Sequence, residues 1–251
     1  RSDSTLRGHY PAEVDALSQT LDLHPDACLI VPCFMEGGRL TINDVHYVRD
    51  GEQLIPAGET PYARDASFGY RSSDLKAWVE EKTAGRIPAT KVASITLNDL
   101  RQGGPECVHD RLVKLHDGQV CVVNGVTYRD LELFVAGLLK AELAGKRYIY
   151  RTAASFVRVR AGLAERPLLS EAELLPTKNV HNGGLYVVGS YVPRSTEQLE
   201  ALLTNTDLCA VELDVQSLLD SNQRQELLQL AAEQLDQALS DGQDAVLYTS
   251  R

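Results

Sequence analysis

Apolar residues fall in short runs along this chain, and longer stretches with helical spacing of apolar and polar residues separate the runs. Each run is rich in β-branched or aromatic residues, a composition typical of buried strands. The pattern predicts strands over residues 27–31, 92–97, 120–123, 148–150, 185–188, 209–213 and 245–248.

The stretches between these runs have the periodicity of amphipathic helices. Ser73 and Thr127 are suited to cap two of them, and Gly145 is suited to end the helix that Thr127 begins. The pattern predicts helices over residues 11–21, 73–83, 105–115, 128–143, 196–203 and 224–239. Alternation of this kind implies parallel sheets with crossover helices. The predicted fold class is therefore α/β, with two doubly wound units of mainly parallel sheet and ligands at the carboxyl ends of the strands.

One segment of the first unit departs from this alternation. Two extended runs flank Asp50-Gly51, a residue pair typical of hairpin turns, so the sequence predicts a β-hairpin over residues 47–55. Residues 56–69 follow, with glycine, proline and small polar residues. They predict either an ordered excursion or a mobile loop.

A second polar stretch, residues 168–184, carries proline and glycine and is followed by a fresh strand. A boundary is expected there, because linkers between domains have this composition. The predicted domains are residues 1–175 and residues 183–251, and the length of 251 residues suits such a division.

Composition narrows the class of partner. The net charge of −10 argues against binding to a nucleic-acid backbone, which needs clustered Lys and Arg. No apolar run reaches the roughly 18–20 residues of a membrane span.

The five cysteines lack zinc-binding or Cys-x-x-Cys spacing, and no His, Asp and Glu spacing indicates a metal site. Cys28, Cys121 and Cys209 lie in strand-like runs, which predicts buried free thiols and favours a cytoplasmic location.

The opening segment, Arg1-Ser-Asp-Ser-Thr-Leu-Arg-Gly8, concentrates charged and hydroxyl groups before the first predicted helix. Ser4, Thr5 and Arg7 at a helix start would form a site for a carboxylate or phosphate, because free N–H groups and the helix dipole add to the guanidinium. The same residues also suit an ordinary helix cap with a surface salt bridge. The sequence pattern by itself is compatible with both.

Polar groups also follow two other predicted strands of the first unit. Arg39 comes after a pair of glycines that permit close backbone approach, and it could clamp an anion. Arg151 and Thr152 follow the strand at residues 148–150, where helix N–H groups would accompany the guanidinium. The alternatives are a turn that feeds the hairpin for Arg39, and an ion pair and a helix cap for Arg151 and Thr152. For His46 the pattern does not separate a functional role from a structural one.

In the second unit, Gly189 and Ser190 follow the strand at residues 185–188 and precede a predicted helix. This layout is typical of a phosphate cradle, although it is neither a Walker loop nor a dinucleotide fingerprint. A simple helix cap at Ser195 or Thr196 is the alternative.

Several of these motifs occur in one order through most of the chain. They are Asp3-Ser-Thr-Leu-Arg-Gly8, Val31-Pro32, Gly37-Gly38-Arg39-Leu-Thr41, Val45-His46-Tyr47-Val48, Tyr150-Arg151-Thr152-Ala-Ala-Ser155 and Val187-Val-Gly189-Ser190-Tyr-Val-Pro193. Together they resemble the four-carbon acid sugar kinase family, whose members phosphorylate tetronates such as erythronate or threonate.

The resemblance implies an ATP-dependent kinase that phosphorylates a hydroxyl of a sugar acid of the erythronate, threonate or 3-oxo-tetronate class, with ATP and Mg²⁺ as cofactors. The first predicted domain would bind the sugar acid, and the second would begin the nucleotide-binding domain. By the resemblance, Gly189 and Ser190 lie near the ATP phosphates. The substrate-binding residues it implies are Asp3, Ser4, Thr5, Arg7, Arg39, Arg151 and Thr152.

The chain also departs from the family pattern. It lacks the opening strand with an Asp-Asp-x-Thr-Gly-type segment and the closing glycine-rich nucleotide loop. We therefore expect an internal fragment of a longer protein that is inactive by itself. The general base and several ATP contacts are expected in the missing segments, so no catalytic residue is named.

Two other classes of function remain open. The first is a non-catalytic module that uses the same anion pocket to bind a sugar acid or a partner. The second is a nicotinamide-dependent enzyme, which the absence of a glycine-rich dinucleotide fingerprint disfavours. A homodimer is compatible with either.

Overall fold

The computed structural model describes residues 2–174, 182–190 and 192–250 and divides the chain into two compact units, residues 1–166 and 167–251. Residues 175–181 of the predicted linker lie outside the described residues. The strands are β1 (Ala27–Val31), β2 (Arg39–Ile42), β3 (Val45–Asp50), β4 (Gln53–Pro56), β5 (Ala93–Ile95), β6 (Gln119–Val123), β7 (Tyr148–Thr152), β8 (Leu185–Val188), β9 (Cys209–Leu213) and β10 (Ala245–Thr249).

Each of the six predicted helix ranges holds a helix, most with shifted ends, and four further short α-helices in the described part of the chain lie outside the predicted ranges. They are α1 (Ala12–Thr20), α2 (Leu75–Lys82), α3 (Leu97–Arg101), α4 (Gly104–Leu112), α5 (Tyr128–Leu143), α6 (Ala154–Arg160), α7 (Glu171–Leu174), α8 (Pro193–Asn205), α9 (Val215–Leu219) and α10 (Ser221–Ser240). Short 3₁₀ helices cover Ala57–Glu59, Pro61–Arg64 and Ala89–Lys91.

Two of the predicted helix caps can be compared with the structure. Thr127 caps α5 in a reciprocal capping box with Asp130, as the sequence predicts. The cap predicted at Ser73 is wrong, because Asp74 accepts hydrogen bonds from the first turn of α2. A carboxylate one residue later satisfies two N–H groups of that turn, and Ser73 is left to bond the N–H of Gly58.

The first unit is built on a parallel sheet with strand order β5-β6-β1-β7. All five residues of β1 are buried, because helices or loops cover both faces of the sheet. One face, with Leu29 and Val31, packs on helices α3 to α6, and the opposite face, with Cys28 and Ile30, packs on α2 and on the opening segment. The predicted α/β class with mainly parallel sheets is therefore confirmed.

The hairpin excursion is a three-stranded antiparallel sheet of order β2-β3-β4. The predicted turn joins β3 to β4, with Gly51 at a φ of 58°. Strand β2 pairs with β3 as the third strand, and the turn between them lies at Asn43 and Asp44, whose φ angles are 50° and 65°. Thr41 exchanges backbone hydrogen bonds of 3.0 and 3.1 Å with Gly125, just after β6. This pairing fixes the excursion at the carboxyl edge of the parallel sheet.

The second unit contains a parallel sheet of order β8-β10-β9. Helix α10 packs on it through a small apolar cluster of Val211, Ala231, Leu235, Ala238 and Ala245. Cys28 and Cys121 are buried as predicted, but Cys209 is only half-buried because its strand lies at the sheet edge. Among the described helices of both units, none is long and apolar enough to cross a membrane.

Candidate functional site

The opening segment forms a loop and does not start a helix. Helix α1 begins at Ala12, and its N-cap, Pro11, makes no side-chain capping bond. Leu6 and Gly8 have φ angles of 67° and 126°, which interrupt any helical path before α1. The prediction that residues 1–8 form the start of a helix is therefore wrong, and so is the alternative that they cap one. We call residues 2–8 the opening loop.

The opening loop lies at the carboxyl edge of the parallel sheet. The N–H of Ser2 donates to the carbonyl oxygen of Thr152, the last residue of β7, over 2.6 Å. Buried Leu6 anchors the loop in the core between the sheet and α2. Ligands of parallel α/β sheets bind at this edge, so the location suits a binding site.

Three side chains hold the loop by its carbonyl oxygens. His46 Nε2 lies 2.8 Å from the oxygen of Ser4, the Tyr70 hydroxyl donates to Thr5 over 2.6 Å, and Arg151 Nη2 donates to Arg7 over 3.1 Å. The three donors come from β3, from the segment between β4 and α2, and from β7. The main chain of the loop is therefore fixed by three separate elements of the first unit.

The side chains of the loop also bond to one another. Thr5, which is 2% exposed, donates to Asp3, and Arg7 Nε lies 2.9 Å from Asp3 Oδ2 and 3.1 Å from Thr5 Oγ1. Partial burial raises the pKa of Asp3, but the hydrogen bonds from Thr5 and Arg7 and the charge of Arg7 outweigh it and lower that pKa overall. Asp3 is thus a stable anion that orients Arg7.

Ser4 differs from these neighbours. Its side chain is half-buried, and its hydroxyl makes no hydrogen bond to the described part of the chain. A hydroxyl in this position can donate to a ligand or accept from one.

Arg39 comes to the same edge from a tight turn after β1. Phe34 and Arg39 exchange backbone hydrogen bonds of 2.9 and 2.8 Å, and the Arg39 side chain folds back to the carbonyl oxygen of Gly37. A Cβ at Gly37 would press on the Phe34 ring and on the Arg39 guanidinium, and Gly38 has a φ of 69° that favours glycine, so the turn accommodates this pair of glycines closely. Arg39 Nε is buried without a hydrogen-bond partner, and no carboxylate among the described residues pairs with Arg39. Arg39 as a whole is half-buried, and its two terminal nitrogens bond Gly37 and Tyr62. A guanidinium that pairs with no carboxylate can still receive an acidic ligand.

Arg7 and Arg39 meet at one aromatic ring. The Cζ atoms of Arg7 and Arg39 lie 5.3 and 5.6 Å from the centre of the Tyr62 ring, and Arg39 Nη2 lies 3.5 Å from the Tyr62 hydroxyl oxygen. Asp65 Oδ2 lies 3.6 Å from Arg7 Nη1. The structure therefore brings together two of the arginines that the sequence singles out.

Arg151 and Thr152 occupy the end of β7 and are 3% and 2% exposed. Arg151 Nε donates to Glu13 over 2.6 Å, and its guanidinium lies over the rings of Tyr10 and Trp78 at 5.5 and 5.0 Å. These contacts face the core and the main chain of the opening loop. Direct contact of Arg151 or Thr152 with a substrate stays a prediction.

His46 is fully buried beneath the loop. Its Nδ1 lies 2.9 Å from the Thr41 hydroxyl, so a neutral ring can accept there and donate from Nε2 to Ser4. Burial lowers the pKa of His46 to about 4, and the bond to Ser4 opposes that shift only in part. The contacts of His46 are those of a residue that positions the loop.

The segment of residues 57–73 supplies residues that the sequence reasoning missed. Tyr62, Asp65 and Tyr70 all reach the opening loop from it. The sequence of this segment indicates only irregular structure, because its apolar residues do not recur at the spacing of a helix or a strand. Tyr62 and Tyr70 could have indicated a structured segment, because large aromatic residues in a polar loop usually pack against other residues.

In the second unit, Gly189 and Ser190 line an open cleft of about 450 Å³ beside the first turns of α8. Ser195 and Gln198 of α8 line it with them. The helix start and the two serine hydroxyls fit a phosphate group. A Cβ at Gly189 would meet nothing within 4 Å, so the glycine is not required for close approach in this structure.

A magnesium site has no such support. The described residues contain no group of three or more His, Cys, Asp or Glu side chains placed to hold a metal ion. We therefore derive no step through Mg²⁺.

Comparison with known families gives two matches that together cover most of the chain. Residues 1–160 match the family described as a sugar-binding N-terminal domain, and residues 185–251 match a nucleotide-binding C-terminal domain. D-erythronate kinase from Heliobacterium modesticaldum is 26% identical over 241 residues, which are 94% of this chain and 49% of that enzyme.

Two solved structures share the fold. A Salmonella typhimurium LT2 structure, provisionally described as a tRNA synthase, matches with a TM-score of 0.59 at 18% identity over 99% of this chain and 55% of its own. A Haemophilus influenzae protein matches with a TM-score of 0.52 at 18% identity, with the same coverage of 99% and 55%. The chain spans about half the length of the relatives it matches.

Proposed function

This chain belongs to the four-carbon acid sugar kinase family, and we propose that it carries the sugar-acid site of an ATP-dependent kinase that phosphorylates a hydroxyl of a tetronate. The substrate class is erythronate, threonate or a 3-oxo-tetronate. Residues 1–175 form the sugar-acid-binding domain in this proposal, and residues 183–251 begin the nucleotide-binding domain. The kinase name of the Heliobacterium relative supports it.

The observation that carries the proposal is the Arg39 guanidinium. It sits at the carboxyl edge with a buried, unpartnered Nε, next to the same ring as Arg7. The substrate carboxylate supplies the missing anion, and it is bound mainly by Arg39 with help from Arg7. The Ser4 hydroxyl is placed to bond a hydroxyl of the polyol chain.

Asp3 and Thr5 act in this proposal by orienting Arg7. Arg151 supports the loop from below, through the carbonyl oxygen of Arg7. Thr152 does the same through the N–H of Ser2. Arg151 and Thr152 stay proposed substrate-binding residues, and these contacts with the loop are the support that the structure offers for them.

The second unit is proposed to bind ATP phosphates at Gly189 and Ser190. Phosphoryl transfer depends on positioning and on charge neutralisation, and ATP supplies the phosphoryl group when it is bound. A cytoplasmic location agrees with a metabolic kinase of this kind. Turnover is expected to need the longer protein, because the chain spans about half of its relatives.

The test is an ADP-release assay with D-erythronate and D-threonate as acceptors, run on the complete protein and on the 251-residue chain. We expect turnover by the complete protein with Mg²⁺ and none by the chain alone. Turnover by the chain would show that its own residues include the catalytic groups. No turnover on any four-carbon acid, with binding retained, would favour a non-catalytic sugar-acid-binding module.

A further inference from the structure

We propose that Tyr62 is a ligand-contacting residue that gives this site its preference for hydroxylated acids over plain carboxylic acids. The inference rests on the proposed function, because it concerns the substrate class of the same site. It assigns two separate roles to one side chain: the ring supports both arginines, and the hydroxyl faces the ligand.

The Tyr62 ring supports both arginines because both guanidinium groups lie close to it. The Cζ atoms of Arg7 and Arg39 both lie within 6 Å of the Tyr62 ring centre, at 5.3 and 5.6 Å. A guanidinium over an aromatic face is attracted by the ring quadrupole. Because two like charges at one site repel each other, a shared aromatic neighbour helps to hold both in place before an acid binds.

The hydroxyl role follows from its weak bonding. The Tyr62 hydroxyl lies 3.5 Å from Arg39 Nη2, at the outer limit for a hydrogen bond, and has no other hydrogen bond within the described residues. It therefore keeps its O–H donor and most of its acceptor capacity. With the carboxylate held by the arginines, a hydroxyl on the sugar-acid chain would use that capacity, whereas the alkyl chain of an unsubstituted acid could not.

The main chain around Tyr62 is already ordered for this task. Tyr62 lies in the 3₁₀ helix Pro61–Arg64, and buried Ala63 both donates to Thr60 and accepts from the N–H of Tyr70 over 3.1 and 3.0 Å. The Thr60 hydroxyl donates to Ala57 over 2.7 Å. Binding thus costs little ordering of this segment, which favours a specificity role.

The chemistry that the site recognises is a short carboxylate with vicinal hydroxyl groups. Carboxylate recognition belongs to the arginines, and hydroxyl recognition to Tyr62 and Ser4. Removing only the phenolic oxygen should therefore reduce discrimination and leave carboxylate binding intact.

The experiment is calorimetric titration of D-erythronate and of butyrate, a four-carbon acid without hydroxyls, into the protein and its variants. In Tyr62→Phe we expect D-erythronate affinity to fall roughly five- to tenfold and butyrate affinity to stay unchanged. In Tyr62→Ala we expect both affinities to fall, because the ring is lost. Tyr148→Phe is the matched control, since Tyr148 begins β7 at the opposite end of the strand and its buried hydroxyl has no partner.

The outcomes separate the two claims. If Tyr62→Phe binds both acids as Tyr148→Phe does, the role of Tyr62 is refuted and the proposed sugar-acid site stands. If the unaltered protein does not bind D-erythronate, the proposed function fails and this inference fails with it. Should Tyr62→Ala not fold, Tyr62→Phe still decides, because it retains the ring.

Discussion

Single residues outside the opening loop hold its main chain in place. His46, Tyr70 and Arg151 each bond one carbonyl oxygen of the loop, and Leu6 is held at a φ of 67° that side chains rarely adopt. Such strained positions persist where the surroundings fix them, and they occur often at binding sites. The main chain of the loop is thus held in one conformation by residues outside the loop.

His46 gives a pH dependence that can be measured. Its pKa is about 4 in the folded protein, against an ordinary value of 6.5, because burial disfavours the charged ring. Between those values the unfolded chain binds more protons than the folded one, so the free energy of unfolding decreases as the pH falls from 6.5 to 4. We expect this group to contribute roughly 3 kcal/mol above pH 6.5 and nothing below pH 4.

The measurement is urea denaturation of the protein and of His46→Gln at a series of pH values. Glutamine can keep the donor to Ser4 but does not titrate. Carboxylates that do not act on His46, such as Asp130 with its lowered pKa, make both proteins less stable as the pH falls, so their contribution cancels in the difference. Parallel stability profiles for the two proteins would contradict a buried, neutral His46.

At the scale of secondary structure, elements with a continuous hydrophobic run or a clear cap were easiest to predict, even where the run is not buried, as in β8. The bounds of β1, β8, β9 and α5 agree with the sequence prediction, because continuous apolar runs and a capping box mark them. Strand β2 was not predicted, because its four residues are too few for their polar and apolar alternation to stand out, although its partner β3 follows after a two-residue turn. The motifs drew attention to Arg7 and Arg39, which the structure brings to one ring, whereas Tyr62 in the irregular segment 57–73 was missed. Their contact with a substrate stays a prediction.

Strand β7 is joined to helix α1 and to the opening loop by the Arg151 side chain. Its guanidinium bonds Glu13 and the carbonyl oxygen of Arg7 while it lies over Tyr10 and Trp78. Removing a buried charge leaves its partners unpaired, which is more costly than losing a surface ion pair.

We therefore expect Arg151→Met to lower the free energy of unfolding by about 3 kcal/mol. Glu13→Gln is the milder comparison, because it keeps an acceptor oxygen and should cost about 1 kcal/mol. Denaturant titration of both variants measures the difference. A folded Arg151→Met variant with unaltered stability and lost sugar-acid binding would assign Arg151 to the ligand instead.

At the scale of the whole molecule, the chain forms two compact units, residues 1–166 and 167–251. Residues 161–170 are all exposed, and Leu168 is 96% exposed. Exposed main chain outside regular structure is where proteases cut first. The same stretch separates the residues that match the sugar-binding and nucleotide-binding families.

Limited digestion with a protease of broad specificity should therefore cut first within residues 161–174. The expected product is a resistant fragment that contains the opening loop, Arg39 and Arg151. Mass spectrometry of the early products locates the cut. A first cut inside the parallel sheet of the first unit would contradict the division into units.

The central claim is that the opening loop and Arg39 bind the carboxylate of a four-carbon sugar acid, and calorimetric titration of D-erythronate into the protein and its Arg7→Ala variant tests it most directly. We expect Arg7→Ala to weaken binding by about 1.5–3 kcal/mol, the worth of a charge-assisted hydrogen bond, and Arg7→Lys to recover only part of it. Arg129→Ala is the control, because Arg129 is exposed and, among the described residues, its ion pair is with Glu132 on α5. Equal affinity of Arg7→Ala and the unaltered protein would contradict the claim.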